Sequence, residues 1–278
     1  MRGILFASLV TIVFLFTGAA LGQQDSHGVQ LPETDRRAND RHASEPRVLE
    51  KGPLAPSEED RNTYANFLAR PQTGLVRLLP RQYNQTKTAN GVVNISSSDG
   101  NVKIRGGGAY YSFAFLRHEY GFGSDLELNT ISRFLDGTRL PPWHEFSVGF
   151  AGADYGMMTS LGDVLLEQIT SDDPAARFLL AYHAPRAEPV ARCEAMAFRE
   201  GRLVDLQMYQ SRLPIQLNNT YLLRSINYGK SDVVVAFRVV RQDPDGSVTI
   251  AWKLLKKFNP VELENVANLN PTYKCPTK

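Results

Sequence analysis

Three residue patterns in this chain have the types and spacing that chemistry would need. His118-Glu119 and His144-Glu145 each pair an imidazole with a carboxylate, groups that serve a metal centre or a general base. On an extended strand, neighbouring side chains point to opposite faces, so neither pair holds one ion through both members without a loop or bulge. His183 and Asp154 add no short ligand spacing, so neither a metal nor a cofactor is expected. Asp125 and Glu127 lie two apart, which on a strand sets both carboxylates on one face roughly 6.5 Å apart. That separation falls within the span of about 5–9.5 Å used in glycoside hydrolysis. Leu126 and Leu128 alternate with them, and acidic-out, leucine-in is the ordinary pattern of a strand with one solvated face. The solvated-face reading is preferred here and for Asp163, which precedes Val164-Leu165-Leu166-Glu167.

The third pattern is compositional. Residues 106–156 hold 11 of the 27 aromatic residues and 9 of the 21 glycines. Glycine lets backbone approach a ligand closely, and tyrosine and tryptophan offer a flat apolar face with a polar edge, which suits a sugar ring or an amphipathic partner. Tyr110, Tyr111, Tyr120, Trp143 and Tyr155 are the candidate contacts. In the competing reading, the glycines mark bulges and corners while the rings fill a core. Gly149, Gly152 and Gly156 do not have the spacing of a phosphate loop, and no lysine-serine or lysine-threonine step follows them. Met158-Thr159-Ser160-Leu161-Gly162 lacks the first glycine of a nucleophile elbow.

The opening segment gives an address. Arg2, the apolar run Ile4 to Phe16, and the small residues Ala20 and Gly22 follow the order of a secretory signal. Cleavage after Gly22 is expected, and the protein should then be periplasmic or extracellular. Contact with a membrane is expected only during export, or if the segment stays as an anchor. Without residues 1–22 the chain keeps 30 basic and 29 acidic side chains. That balance makes no field able to capture a phosphate backbone, so nucleic acid is not an expected partner. Lys253, Lys256 and Lys257 read as a solvated edge that discourages strand addition. Export also opens the way to a disulfide between the only two cysteines, Cys193 and Cys275. Alternatively, Cys193 is a small buried residue in the alternation Ala191, Cys193, Ala195, Ala197.

The elements that must position these groups are mostly strands. Residues 23–56 mix charges with proline and glycine and should form a disordered spacer. Ser57-Glu58-Glu59-Asp60 starts one short helix, which Arg70-Pro71 stops. Gly74 to Leu79 reads as a connection, and Asp99-Gly100 as the turn of a hairpin between Val92–Ser96 and Asn101–Arg105. Further strands are expected at 109–116, 125–129, 145–150, 164–169, 176–183, 190–199, 203–209, 221–228, 232–242 and 247–258. The last two flank Asp243-Pro244-Asp245-Gly246, suited to a type I turn with a following bulge. Val233, Val235, Phe237 and Val239 share one face and Val234, Ala236 and Val240 the other, so both faces should be buried. The class is therefore all-β: an antiparallel two-sheet sandwich over residues 57–270, with a closed barrel as the alternative and a tail at 271–278. Three N-glycan acceptor patterns, at Asn84, Asn94 and Asn218, are read as chance matches.

These features point to an exported, non-enzymatic β-rich domain that binds a polysaccharide or a cell-envelope protein. Two alternatives remain open at this point. One is an extracytoplasmic hydrolase using His118 or His144 with a carboxylate. The other is a structural or assembly subunit, recognisable by a large exposed apolar patch.

Overall fold

The computed structural model describes residues 52–80, 92–97, 100–105, 108–118, 123–149, 153–264 and 275. The expected leader, the spacer up to residue 51, Asp99, Glu119, Tyr120, the Asn84 pattern and all of the tail except Cys275 lie outside the described residues. In chain order the strands begin with β1 (Thr73–Leu78), β2 (Val92–Ser97), β3 (Gly100–Arg105), β4 (Tyr110–Tyr111), β5 (Leu126–Leu135), β6 (Thr138–Ser147) and β7 (Tyr155–Gly162). They continue with β8 (Arg202–Val204), β9 (Gln207–Tyr209), β10 (Arg212–Pro214), β11 (Thr220–Asn227), β12 (Ser231–Gln242) and β13 (Val248–Phe258). Among the described residues four α-helices accompany them: α1 (Glu58–Thr63), α2 (Ala65–Leu68), α3 (Pro174–Ala181) and α4 (Glu188–Glu200). None of these is long and apolar enough to cross a membrane.

The sheets are antiparallel and do not close into a barrel. One runs β1-β13-β12-β11-β7, the other β10-β6-β5-β4, and the hairpins β2-β3 and β8-β9 form two further two-stranded sheets. The long pair β12-β13 anchors the larger sheet because its β-branched and aromatic runs are joined by a tight turn. Gly246 donates its N–H to the Asp243 carbonyl and takes φ +84°, a value that glycine adopts without strain. Val233, Val235, Phe237 and Val239 then meet Leu126, Leu128 and Phe146 of the smaller sheet in one apolar core. Val234 and Ala236, on the reverse of the same strand, pack with Leu179, Ala191 and Phe198 of α3 and α4 in a second. Both faces of β12 are buried, as its sequence implied, and the sandwich gains a helical layer.

That layer corrects two expected strands. Residues 176–183 fall largely in α3 because Asp173 accepts from the Ala175 N–H at 2.9 Å and Pro174 opens the first turn. Residues 190–199 lie in α4. The buried Ala191 and Phe198 are seven apart, on the same face of a helix but opposite faces of a strand. Small residues at every second position had imitated the strand period. Cys193, on this helix, is joined to Cys275 by a disulfide across 82 residues.

Other departures follow from where backbone groups find partners. The stretch read as a connection at 74–79 is β1, paired with β13 so that Gly74 faces Trp252. A Cβ on Gly74 would stand 2.4 Å from the indole, so only glycine allows this close approach. Residues 164–169 are not a strand but hold a 3-10 turn, Leu166–Gln168. The Val164 carbonyl accepts from Thr220 and Arg238 side chains, and Lys253 donates to the Ile169 carbonyl. The single expected helix after Ser57 is two, α1 and α2. Lys253 lies in the part of β13 that β1 covers, with Thr73 opposite it, so the solvated-edge reading fits only Lys256 and Lys257 beyond that pairing.

The buried ion pair Arg224–Asp232 ties the layers together. Arg224 donates Nε and Nη2 to Asp232 at 2.9 and 2.8 Å, and Nη1 to the Leu179 and Tyr182 carbonyls at the end of α3. The guanidinium thus satisfies carbonyls that the helix end leaves without intrahelical donors.

Candidate binding face

One end of the inter-sheet core turns polar. Ser225 and Asn227 on β11 and Ser231 on β12 follow the apolar Leu223 and Val233 on the same faces, and Asp125 enters among them. Asp125 is fully buried. It accepts from Ser112 Oγ (3.1 Å), Phe113 N (2.7 Å), Ala114 N (3.1 Å) and Asn227 Nδ2 (3.0 Å). These bonds explain why residues 109–116 contribute only the two-residue β4, since the Phe113 and Ala114 amides serve a carboxylate and not a neighbouring strand. Burial pushes the Asp125 carboxyl up to about 6, against the opposing pull of its hydrogen bonds. Glu127 is also buried and accepts from Ser147 at 2.9 Å. The solvated acidic face expected for this strand is therefore covered, and the two carboxylates have different partners. Asp163 does reach solvent, where it pairs with Arg238 at 2.6 Å.

His118 and His144 are engaged in framework contacts. His118 is buried, with Nδ1 2.8 Å from the Tyr110 carbonyl and its ring edge-on to Tyr111. His144 Nδ1 lies 3.2 Å from Thr130 Oγ1, its ring rests on the Gly246 turn, and burial lowers its basicity. Neither bond joins a histidine to a carboxylate. Among the described residues no group of three or more His, Cys, Asp or Glu side chains is placed to hold a metal ion.

The four described candidate rings do not share one surface. Tyr111 packs between Phe113 and Trp252, with ring centroids 5.2 and 6.3 Å away. Tyr155 lies in the helix-side core, its hydroxyl 2.7 Å from that of Tyr182, which donates to Glu194 at 2.7 Å. Arg202 closes this chain with two bonds of 2.8 Å to Glu194. Burial, then the Glu194 carboxylate, raises the Tyr182 hydroxyl well above the usual phenol range, which keeps it a donor. Tyr110 is buried too. Tyr110, Tyr111 and Tyr155 thus belong to cores, and Tyr120 lies outside the described residues. Trp143 is 46% exposed.

Trp143 stands on β6 opposite Ile131, and the next pair along is Glu145 opposite Asn129. Leu126, Leu128 and Phe146 face the core. By alternation Asn129, Ile131, Trp143 and Glu145 therefore face outward. Asn129 donates to Glu145 at 3.2 Å, and Arg212 on β10 approaches the same carboxylate at 3.8 Å. Beyond Trp143, β5 and β6 continue as a two-stranded ribbon pairing Arg133 with Leu140 and Leu135 with Thr138. The register shifts between Ile131 and Arg133, where β6 spends an extra residue near Pro141-Pro142. Asp136-Gly137, with φ +49° and +79°, closes the ribbon as a two-residue turn. Leu135, at 60% exposure, and Arg133 are open to solvent.

Ile131, Arg133, Leu135 and Leu140 are the face residues that sequence reasoning missed. The Asp-Gly turn between alternating apolar residues was a legible hairpin signal for them. Trp143 was found by ring counting. No family model, characterised protein or solved structure matches this chain.

Proposed function

We propose that this chain is an exported, non-enzymatic binding domain whose contact surface is the outward face of β5 and β6. The observation that carries the reading is Trp143: a large amphipathic ring held on a hydrogen-bonded strand, almost half exposed, beside an apolar neighbour and a paired carboxylate and amide. Rings at rigid, well-packed positions dominate recognition because little conformational entropy is lost when a partner covers them. Asp125, Glu127, His118 and His144, which could have supported hydrolysis, are instead occupied in framework contacts, which favours recognition over catalysis. A polysaccharide, or an envelope protein held in weak contact, is the partner this face suits.

Co-sedimentation with insoluble cell-envelope material tests the reading. Wild-type protein should pellet with it, and Trp143→Ala should stay in the supernatant while its far-ultraviolet circular dichroism is unchanged. Equal pelleting of the two proteins would refute the proposal.

A further inference from the structure

Resting on the reading of Trp143 as a contact residue, we infer the ligand class: a linear polysaccharide bearing carboxylates, lying along the β5-β6 ribbon with a sugar ring on Trp143 and a carboxylate on Arg133. Three observations lead there. The first is size. From Asn129 to Leu135 the outward row covers six residue steps, roughly 20 Å at strand rise, and two strands with their side chains are roughly 10 Å across. Such a strip holds several sugar rings end to end. It falls far below the approximately 800 Å² per partner of a stable protein interface. Toward β4 the face does not extend further, because Glu127, Ser147 and Tyr110 are already buried.

The second is the order of side chains along the strip. Trp143 and Ile131 form one apolar rung, Arg133 and Leu140 the next, and Leu135 and Thr138 the last. The opposite end carries Glu145 with Asn129. Aliphatic and aromatic groups broken by planar polar ones match a sugar chain, whose C–H faces alternate with hydroxyls. The rungs belong to a closed hairpin, so their spacing is set before a ligand arrives.

The third is charge. Arg133 is exposed, sits midway along the strip, and has no ion-pair partner among the described residues. Glu145 is only 12% exposed, and Asn129 and Arg212 engage its Oε1. Along the outward row the exposed charge is thus the positive one of Arg133, with Asp136 beyond it in the turn, and the guanidinium geometry suits a carboxylate. An exposed pair of this kind strengthens binding by no more than about fivefold.

The experiment compares polygalacturonate with its methyl ester, which keep the same backbone and differ in charge, by affinity electrophoresis of the full chain. Wild-type protein should bind both, the acid form up to about fivefold more tightly. Arg133→Gln should equalise them, as should raising the salt to roughly 1 M, where screening shortens to a few ångströms. Trp143→Ala should weaken both by at least about tenfold. Two results leave Trp143 as a contact residue but overturn the carboxylate inference: equal wild-type binding to the two polymers, or a preference that survives Arg133→Gln. If neither polymer binds, or if protease treatment of the envelope material abolishes Trp143-dependent pelleting, the polysaccharide inference fails. Loss of Trp143 dependence in pelleting would instead bring down the underlying reading.

Discussion

Asp125→Asn should remove part of the pH dependence of stability, and the magnitude follows from the buried network. In the folded chain the Asp125 carboxyl titrates at about 6, against 3.8 as its ordinary value. Folding therefore favours its protonated form. The stabilising contribution is complete below pH 3.8 and is lost as pH rises through about 6. A separation of roughly two units corresponds to about 3 kcal/mol between those limits. Carboxylates with the opposite bias act in parallel: Glu194 is desolvated, but bonds from Arg202 and Tyr182 hold it below its ordinary value, so it stabilises at higher pH and loses that effect in acid. The wild-type curve sums such terms, but the difference between wild type and Asp125→Asn isolates the buried group. The variant can keep the geometry. Its amide oxygen can face Ser112, Phe113 and Ala114. Its NH2 can meet the Asn227 oxygen if that amide turns over and the Ser225 and Ser231 hydroxyls donate. Urea unfolding followed by tryptophan fluorescence from pH 4 to pH 8 should show the variant gaining on wild type by roughly 2–3 kcal/mol as pH rises. A difference that stays flat to within about 0.5 kcal/mol, the scatter of a neutral substitution, would refute the reasoning.

Further substitutions probe other parts of the account. Gly74→Ala drives a methyl into the Trp252 indole and should lower stability by about 1–3 kcal/mol, with a changed tryptophan emission maximum. Replacing both cysteines by serine removes a loop closure over 82 residues, and equilibrium unfolding should show a loss of about 4–5 kcal/mol. Arg224→Ala leaves Asp232 buried without its partner and should cost about 3–5 kcal/mol in the same assay. Trp143→Ala, at an exposed strand position, should shift stability by no more than about 0.5 kcal/mol, which separates its expected loss of binding from unfolding.

How much of this was legible in the chain depends on how local the determining contacts are. The β12-β13 pair could be read because its turn, its alternation and its burial on both faces are written in consecutive residues 232–258. Helix α4 was obscured by alanines and one cysteine at alternate positions 191–197, and for α3 the Asp173-Pro174 start was the signal passed over. Strand β1 could not be read from its own six residues, since its partner β13 is about 175 residues distant and requires a glycine opposite an indole. At the candidate face, composition picked out aromatic residues but could not sort them. Tyr111 and Trp143 look alike in sequence; one points between the sheets and the other away, a distinction made by the register of β4 and β6 on β5. Asp125 was misread for the same reason, because its partner Asn227 lies 102 residues away.

The central claim is that the outward face of β5 and β6 is where a partner sits, and amide hydrogen exchange measured with and without cell-envelope polysaccharide tests it most directly. The account predicts added protection at residues 129–145, with little change in the β8-β9 hairpin at 202–209. Protection centred on that hairpin, or none at 129–145 under saturating polysaccharide that the protein demonstrably binds, would contradict it.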